Sequence, residues 1–142
     1  LHDVGKIGIP EQLLMKKGPL LPEERKVMER HPAMGFAMLR NIDFLEFATD
    51  VVIAHHERFD GSGYPRGLRG DSIPLNARIF AVVDTLDAMT SDRPYRAALP
   101  FSAFKAEMRH TSGTLFDPEI VDALLGAPES TWLIQGQVIV SV

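Results

Sequence analysis

The chain contains no cysteine. Disulfides are therefore excluded, and so is any metal site built on thiolates. No stretch approaches the ~18 consecutive apolar residues of a membrane helix, so no such segment lies within the chain. Positive charge is not in excess: 15 Lys and Arg stand against 19 Asp and Glu, a net charge of −4. That balance argues against nonspecific binding to nucleic acid. An anionic ligand would have to be attracted by metal ions or by locally placed cations. Internal repeats and low-complexity segments are also missing. What is present is ordinary for a globular domain, with 45% apolar and 24% charged residues over 142 positions, enough for a single core.

Periodicity and stop signals predict an all-α fold. Leu1 to Lys6 opens without an N-cap, which reads as the end of a helix that starts upstream, so the chain is expected to be a piece of a longer protein. A short helix over Glu11 to Met15 is followed by a turn at Lys16-Lys17-Gly18-Pro19. Pro22-Glu23-Glu24 opens a helix that runs to His31, where Pro32 interrupts it. The next helix, Pro32 to Arg40, carries Met34, Met38 and Leu39 on its core side, and Phe44 to His55 forms another. Residues 57 to 75, with Gly61, Gly63, Gly67 and Gly70, form a loop long enough to suggest function. Helices over Ala77 to Ser91, Phe101 to His110 and Pro118 to Leu125 follow. In the tail, 127 to 142, Trp132-Leu133-Ile134 and Val138-Ile139-Val140 could pair as a short β-hairpin.

The chemistry centres on His55-His56-Glu57-Arg58-Phe59-Asp60-Gly61-Ser62-Gly63-Tyr64-Pro65. Adjacent helical positions point about 100° apart, so paired histidines cannot share one apolar face. At a helix end, however, both imidazoles can converge on one point, as a metal cluster requires.

His2-Asp3, the lone His31, His55-His56, Gly63-Tyr64-Pro65 and Asp84 followed by Arg93-Pro94-Tyr95-Arg96 are separated motifs in a fixed order. Together they resemble the HD-GYP family of bacterial signalling phosphodiesterases, a branch of the HD metal-dependent phosphohydrolases. The resemblance covers most of the chain. It implies an HD-domain helical bundle over 1–126, lacking its first helix or helices, with a C-terminal tail at 127–142. The missing helix would carry one more metal-binding histidine.

The resemblance further implies metal ligands at His2, Asp3, His31, His55, His56 and Asp84, with Asp3 as the bridging aspartate. Six protein groups would saturate one octahedral ion, and they suit two or three divalent ions better. Imidazole and carboxylate without sulfur favour iron or manganese, with other transition metals open. Asp3 and Lys6 are the catalytic candidates; Lys6, Tyr64, Arg93 and Arg96 are the substrate-binding ones. The implied reaction is hydrolysis of cyclic di-GMP to linear pGpG and onward to GMP, in the cytoplasm, with this chain alone weakly active. The alternatives are a signalling module that docks diguanylate cyclase or other signalling domains through the Gly-Tyr-Pro loop, or another HD-superfamily phosphohydrolase. An upstream sensory or receiver domain is implied as well.

Plainer readings apply elsewhere. His110 fits no motif and is expected to face solvent, and Glu57 and Asp60 read as solvated loop charges. Asp87 suits a cap, a pair with Arg93 or a supporting contact rather than a ligand. Tyr64 could equally pack the loop or join a partner surface. The six methionines read as core filler.

Overall fold

The computed structural model describes residues 1–92, 96–128, 131, 133–134 and 137–138. They divide into two compact units, Leu1–Ala77 and Arg78–Val142.

The first unit begins with a 3-10 turn, Val4–Gly8, followed by α1 (Glu11–Leu14), α2 (Pro22–Met28), α3 (His31–Leu39) and α4 (Glu46–Ala54). Pro22 occupies the first position of α2, where its missing N–H costs nothing, and the Glu24 carboxylate turns back to accept from Leu21 N at 2.7 Å. The helix stops at Met28 rather than reaching His31, and His31 instead begins α3 with Pro32 behind it. A proline is tolerated in a first helical turn, so it marks the start of α3 rather than a break.

α3 packs against both α4 and the Val4–Gly8 turn. Two apolar stripes compete on the segment before His55. The stripe that faces inward is Thr49, Val52 and Ile53, whereas Phe44 and Phe47 are 86% and 85% exposed. Phe47 stands on the face of α4 opposite Thr49, Val52 and Ile53, and Phe44 lies in the 3-10 turn, Asp43–Leu45, that precedes the helix. Leu39 is buried as expected, while Met38 is exposed. The methionines divide in the same way, with Met108 fully buried and Met15 on the surface.

The loop after α4 contains one further 3-10 turn, Gly70–Ser72, before α5 (Leu75–Thr90), whose first turn belongs to the first unit. Ile73 and Ala77 cover Ile53 and Ala54 there.

In the second unit α5 continues and is followed by α6 (Phe101–Thr111) and α7 (Pro118–Gly126). Val82, Leu86, Phe104, Met108, Phe116, Val121 and Leu124 form its core. Asp117 caps α7, accepting from Glu119 N at 2.9 Å, and its other oxygen meets Arg78 Nη1 at 2.6 Å. In the tail, β1 (Leu133–Ile134) pairs antiparallel with β2 (Gln137–Val138), with Leu133 opposite Val138. The flanking positions 132, 139 and 140 lie outside the described residues. No helix among the described residues is long and apolar enough to cross a membrane.

Candidate metal centre

The site depends on a close backbone crossing. A Cβ at Gly5 would stand 1.9 Å from the His31 carbonyl oxygen and 2.5 Å from Gly35 N. At Gly35 it would meet Val52 Cγ1 at 2.8 Å. Only glycine allows the 3-10 turn to lie directly on α3 and α3 on α4. Asp3, which caps that turn, is thereby set against His31 at the start of α3.

His55 caps the C-terminus of α4 and His56 follows, with their ring centroids 4.1 Å apart. One ligand atom from each of Asp3, His31, His55 and His56 falls within 4.8 Å of the other three. The helix end thus brings both imidazoles of the pair to one point.

Hydrogen bonds select the tautomers. Nδ1 of His31 lies 2.8 Å from the Met28 carbonyl and Nδ1 of His55 lies 3.0 Å from the Val52 carbonyl. Each Nδ1–H donates to its carbonyl, which leaves Nε2 as a lone-pair donor. The two Nε2 atoms then face each other at 3.3 Å. Opposed lone pairs at that distance repel unless a proton or a cation lies near both.

Asp3 divides its oxygens between two neighbourhoods. Oδ1 lies 3.3 Å from His31 Nε2 and 3.7 Å from His55 Nε2. Oδ2 lies 2.6 Å from Lys6 Nζ and 3.4 Å from His2 Nε2. The carboxylate as a whole is 36% exposed, yet Oδ1 is buried and accepts no hydrogen bond. A buried, unsatisfied carboxylate oxygen beside two inward-facing imidazole lone pairs is what a cation site requires.

The electrostatics agree. Burial pushes the Asp3 carboxyl up, but the His31 and His55 rings, when either carries a proton on Nε2, and the Lys6 ammonium outweigh it and hold the carboxyl well below the usual carboxylate range. Burial, followed by repulsion from His55 and His31, pulls His56 down to about 3. A carboxylate and a neutral imidazole are the ligand forms that metals bind. The residues therefore fit a divalent metal with mixed nitrogen and oxygen donors.

The loop beyond the pair corrects one expectation. Glu57 is buried, not solvated, and its two oxygens accept from Arg66 N at 2.8 Å and Leu68 N at 2.9 Å. Gly63 packs so tightly on it that a Cβ would stand 2.5 Å from Glu57 Cα. Tyr64 N donates to the His56 carbonyl at 3.2 Å, and its ring stacks on the His56 ring with centroids 4.7 Å apart. Burial, with a contribution from the Glu29 carboxylate, pushes the Tyr64 phenol up to about 12. Sequence reasoning missed Glu57 because an acidic residue in a glycine-rich stretch normally faces water. The available signal was the pair of long-range backbone donors that such a loop leaves unpaired. Asp60 is exposed as expected and caps its own turn at Ser62 N.

The remaining candidates divide. His2 adjoins the cluster, its ring centroid 5.3 Å from that of His55. Asp84 is half-buried on α5 in the second unit. Arg96 is exposed and donates to the Ala88 carbonyl. Asp87 accepts from Ser91 Oγ at 2.9 Å. Arg93 lies outside the described residues, and His110 is exposed.

The HD domain family model matches residues 1–120. The chain is 46% identical over 127 residues to a cyclic di-GMP phosphodiesterase of Thermotoga maritima, a match covering 88% of this chain and 34% of the relative. It is 47% identical over 139 residues to the cyclic di-GMP phosphodiesterase response regulator RpfG of Xanthomonas campestris pv. campestris, covering 96% of this chain and 37% of that protein. A 3'3'-cGAMP-specific phosphodiesterase of Vibrio cholerae is 37% identical, over 88% of this chain and 24% of its own length. The chain thus spans about a third or less of each relative's length. The fold is also that of a crystal structure of a cyclic GMP-AMP-specific phosphodiesterase of V. cholerae, with a TM-score of 0.60 and 22% identity over 77% of this chain and 26% of that one. With its histidine–aspartate cluster, its family match and its relatives in agreement, the chain belongs to the HD domain family, in the HD-GYP branch.

Proposed function

We propose that this domain is a metal-dependent phosphodiesterase that opens a cyclic dinucleotide, with cyclic di-GMP as substrate and linear pGpG as first product. The observation that carries the reading is the divided Asp3 carboxylate, with Oδ1 toward His31 and His55 and Oδ2 toward His2 and Lys6. One carboxylate serving two neighbourhoods suits a pair of ions. His31, His55 and His56 would hold one ion with Asp3 Oδ1, and His2 would help hold the other with Oδ2; Asp84 keeps the ligand role that the family resemblance gives it. Iron or manganese fits the donor set. Bound divalent ions would supply positive charge to the phosphate and acidify the attacking water.

The chain's own groups have separate tasks. Asp3 orients both ligand sets. The main-chain carbonyls of Met28 and Val52 fix the ring orientations of His31 and His55. Lys6 would neutralise the phosphate oxygens as charge builds in the transition state, and Arg93 and Arg96 keep the phosphate-contacting role that the family resemblance gives them. Tyr64, stacked on His56, offers a ring edge and a protonated phenol to the substrate.

The relatives' names support a cyclic dinucleotide as the substrate class and divide between cyclic di-GMP and 3'3'-cGAMP. The test is product chromatography after anaerobic loading with manganese or iron, with protein in excess over each cyclic dinucleotide in turn. Linear dinucleotide from cyclic di-GMP supports the reading. No product from either substrate, with metal bound stoichiometrically, would overturn it. Docking of a diguanylate cyclase domain on the 57–75 loop is a separate proposal, favoured by the exposed Arg58, Arg66 and Arg69 side chains.

A further inference from the structure

Glu57 is a buried acid that the metal chemistry leaves unused. It immediately follows His56, and its own N–H is bonded to the Ala54 carbonyl at 2.9 Å, which makes it an extension of α4 rather than part of a free loop. From that fixed position it grips the loop from the far side, at Arg66 N and Leu68 N. On the near side Gly63 rests on its backbone, where a Cβ would lie 2.3 Å from Arg58 N and 2.5 Å from Glu57 Cα. Tyr64 lies between these two attachments, and its ring lies on His56 at 25° between planes.

We propose that Glu57 is a positioning residue: its carboxylate ties down the far side of the loop at Arg66 N and Leu68 N while Gly63 rests on its backbone, so that Tyr64, between them, is held on His56. The residue type follows from the task. Two backbone N–H groups 9 and 11 residues away need two acceptor oxygens on one side chain. A glutamine offers one acceptor oxygen and an NH₂ that repels the second donor. An aspartate is one methylene shorter. A charged acceptor also makes each bond stronger than an amide would. Glu57 thus sets where the substrate-facing aromatic stands without touching metal or substrate. In this respect the inference rests on the phosphodiesterase reading, but the placement of Tyr64 can be read without it.

The test uses the full chain. In the metal-free protein the His56 ring protons sense the ring current of Tyr64. Glu57→Gln should move the His56 NMR signals by at least half as much as Tyr64→Leu does, and leave those of His110 in place. In the double variant the two shifts should not add, because one residue acts through the other. Gly63→Ala, which lifts the same loop from its other attachment, should move His56 in the same way and covers the case in which Glu57→Gln fails to fold. With metal restored, Glu57→Gln should raise KM about tenfold with kcat within about twofold, and with metal content unchanged. Unmoved His56 signals, or shifts that add in full, would overturn the proposal. Absence of turnover in the unmodified chain as well would instead count against the phosphodiesterase reading and leave the spectroscopic result standing.

Discussion

Lys6 Nζ lies 2.6 Å from Oδ2 of Asp3, the oxygen that His31 does not face. The ammonium thus occupies the side of the carboxylate assigned above to a second ion, and pairs there at a separation of three residues along the turn. A second ion would compete with the ammonium for this oxygen, and the displaced lysine would then be free to meet the substrate phosphate.

Lys6→Ala should therefore keep its metal and lose turnover. A single positioned charge on the transferring group is typically worth ~10²–10³ in rate. Calorimetric titration with manganese and single-turnover kinetics together check this. A fall in metal affinity would show that Lys6 supports a ligand instead.

Asp3→Ala removes the carboxylate proposed to serve both ions, one through each oxygen. Metal content, measured by elemental analysis, should fall to background together with activity, while the helical circular dichroism stays. His110→Ala, on the exposed end of α6, should change neither quantity. Near-normal metal in Asp3→Ala would remove the bridging assignment.

The metal-free chain should lose stability as the pH falls from about 6.5 toward about 3. Over that window the unfolded chain binds a proton at residue 56 and the folded chain does not, so acid favours unfolding. Asp3, whose carboxyl is held low, adds to the loss only below its ordinary value of 3.8. His56 therefore contributes to the slope between roughly pH 4.5 and 6.5. Denaturant midpoints at pH 7 and pH 5 should converge in His56→Gln, and an unchanged difference would place the titration elsewhere.

Phe104 has no exposed surface and lies at the centre of the second core with Leu86 and Met108. Phe104→Ala should destabilise by ~3–5 kcal/mol, the usual cost of a large aromatic cavity. Denaturant unfolding followed by circular dichroism measures it, and a loss under ~1 kcal/mol would mean that the core collapses into the gap.

Much of this was legible in the chain. Histidine pairs at a helix end have few uses, so His55-His56 predicted a cluster, and proline and glycine placed most helix limits within a residue or two. What escaped was set by contacts distant in sequence. The inward stripe of α4 depends on what α3 and the loop present to it, and Phe44 and Phe47 satisfied helical periodicity as well as Thr49 and Val52 did. Glu57 looked like any loop acid because its partners, Arg66 N and Leu68 N, are backbone groups that every residue carries, so only an accounting of the loop's unpaired donors could have pointed to it.

The crossing of Gly5 over the His31 carbonyl has a consequence for how relatives of this chain are judged. A sequence could retain every histidine and the aspartate and still lose the centre through one methyl group at position 5. That methyl would force the turn away from α3 by more than an ångström and take Asp3 with it. Competence in this fold is thus recorded in two hydrogen atoms, on Gly5 and Gly35, as well as in the ligands. A survey that counts ligands alone would score such a silent chain as active.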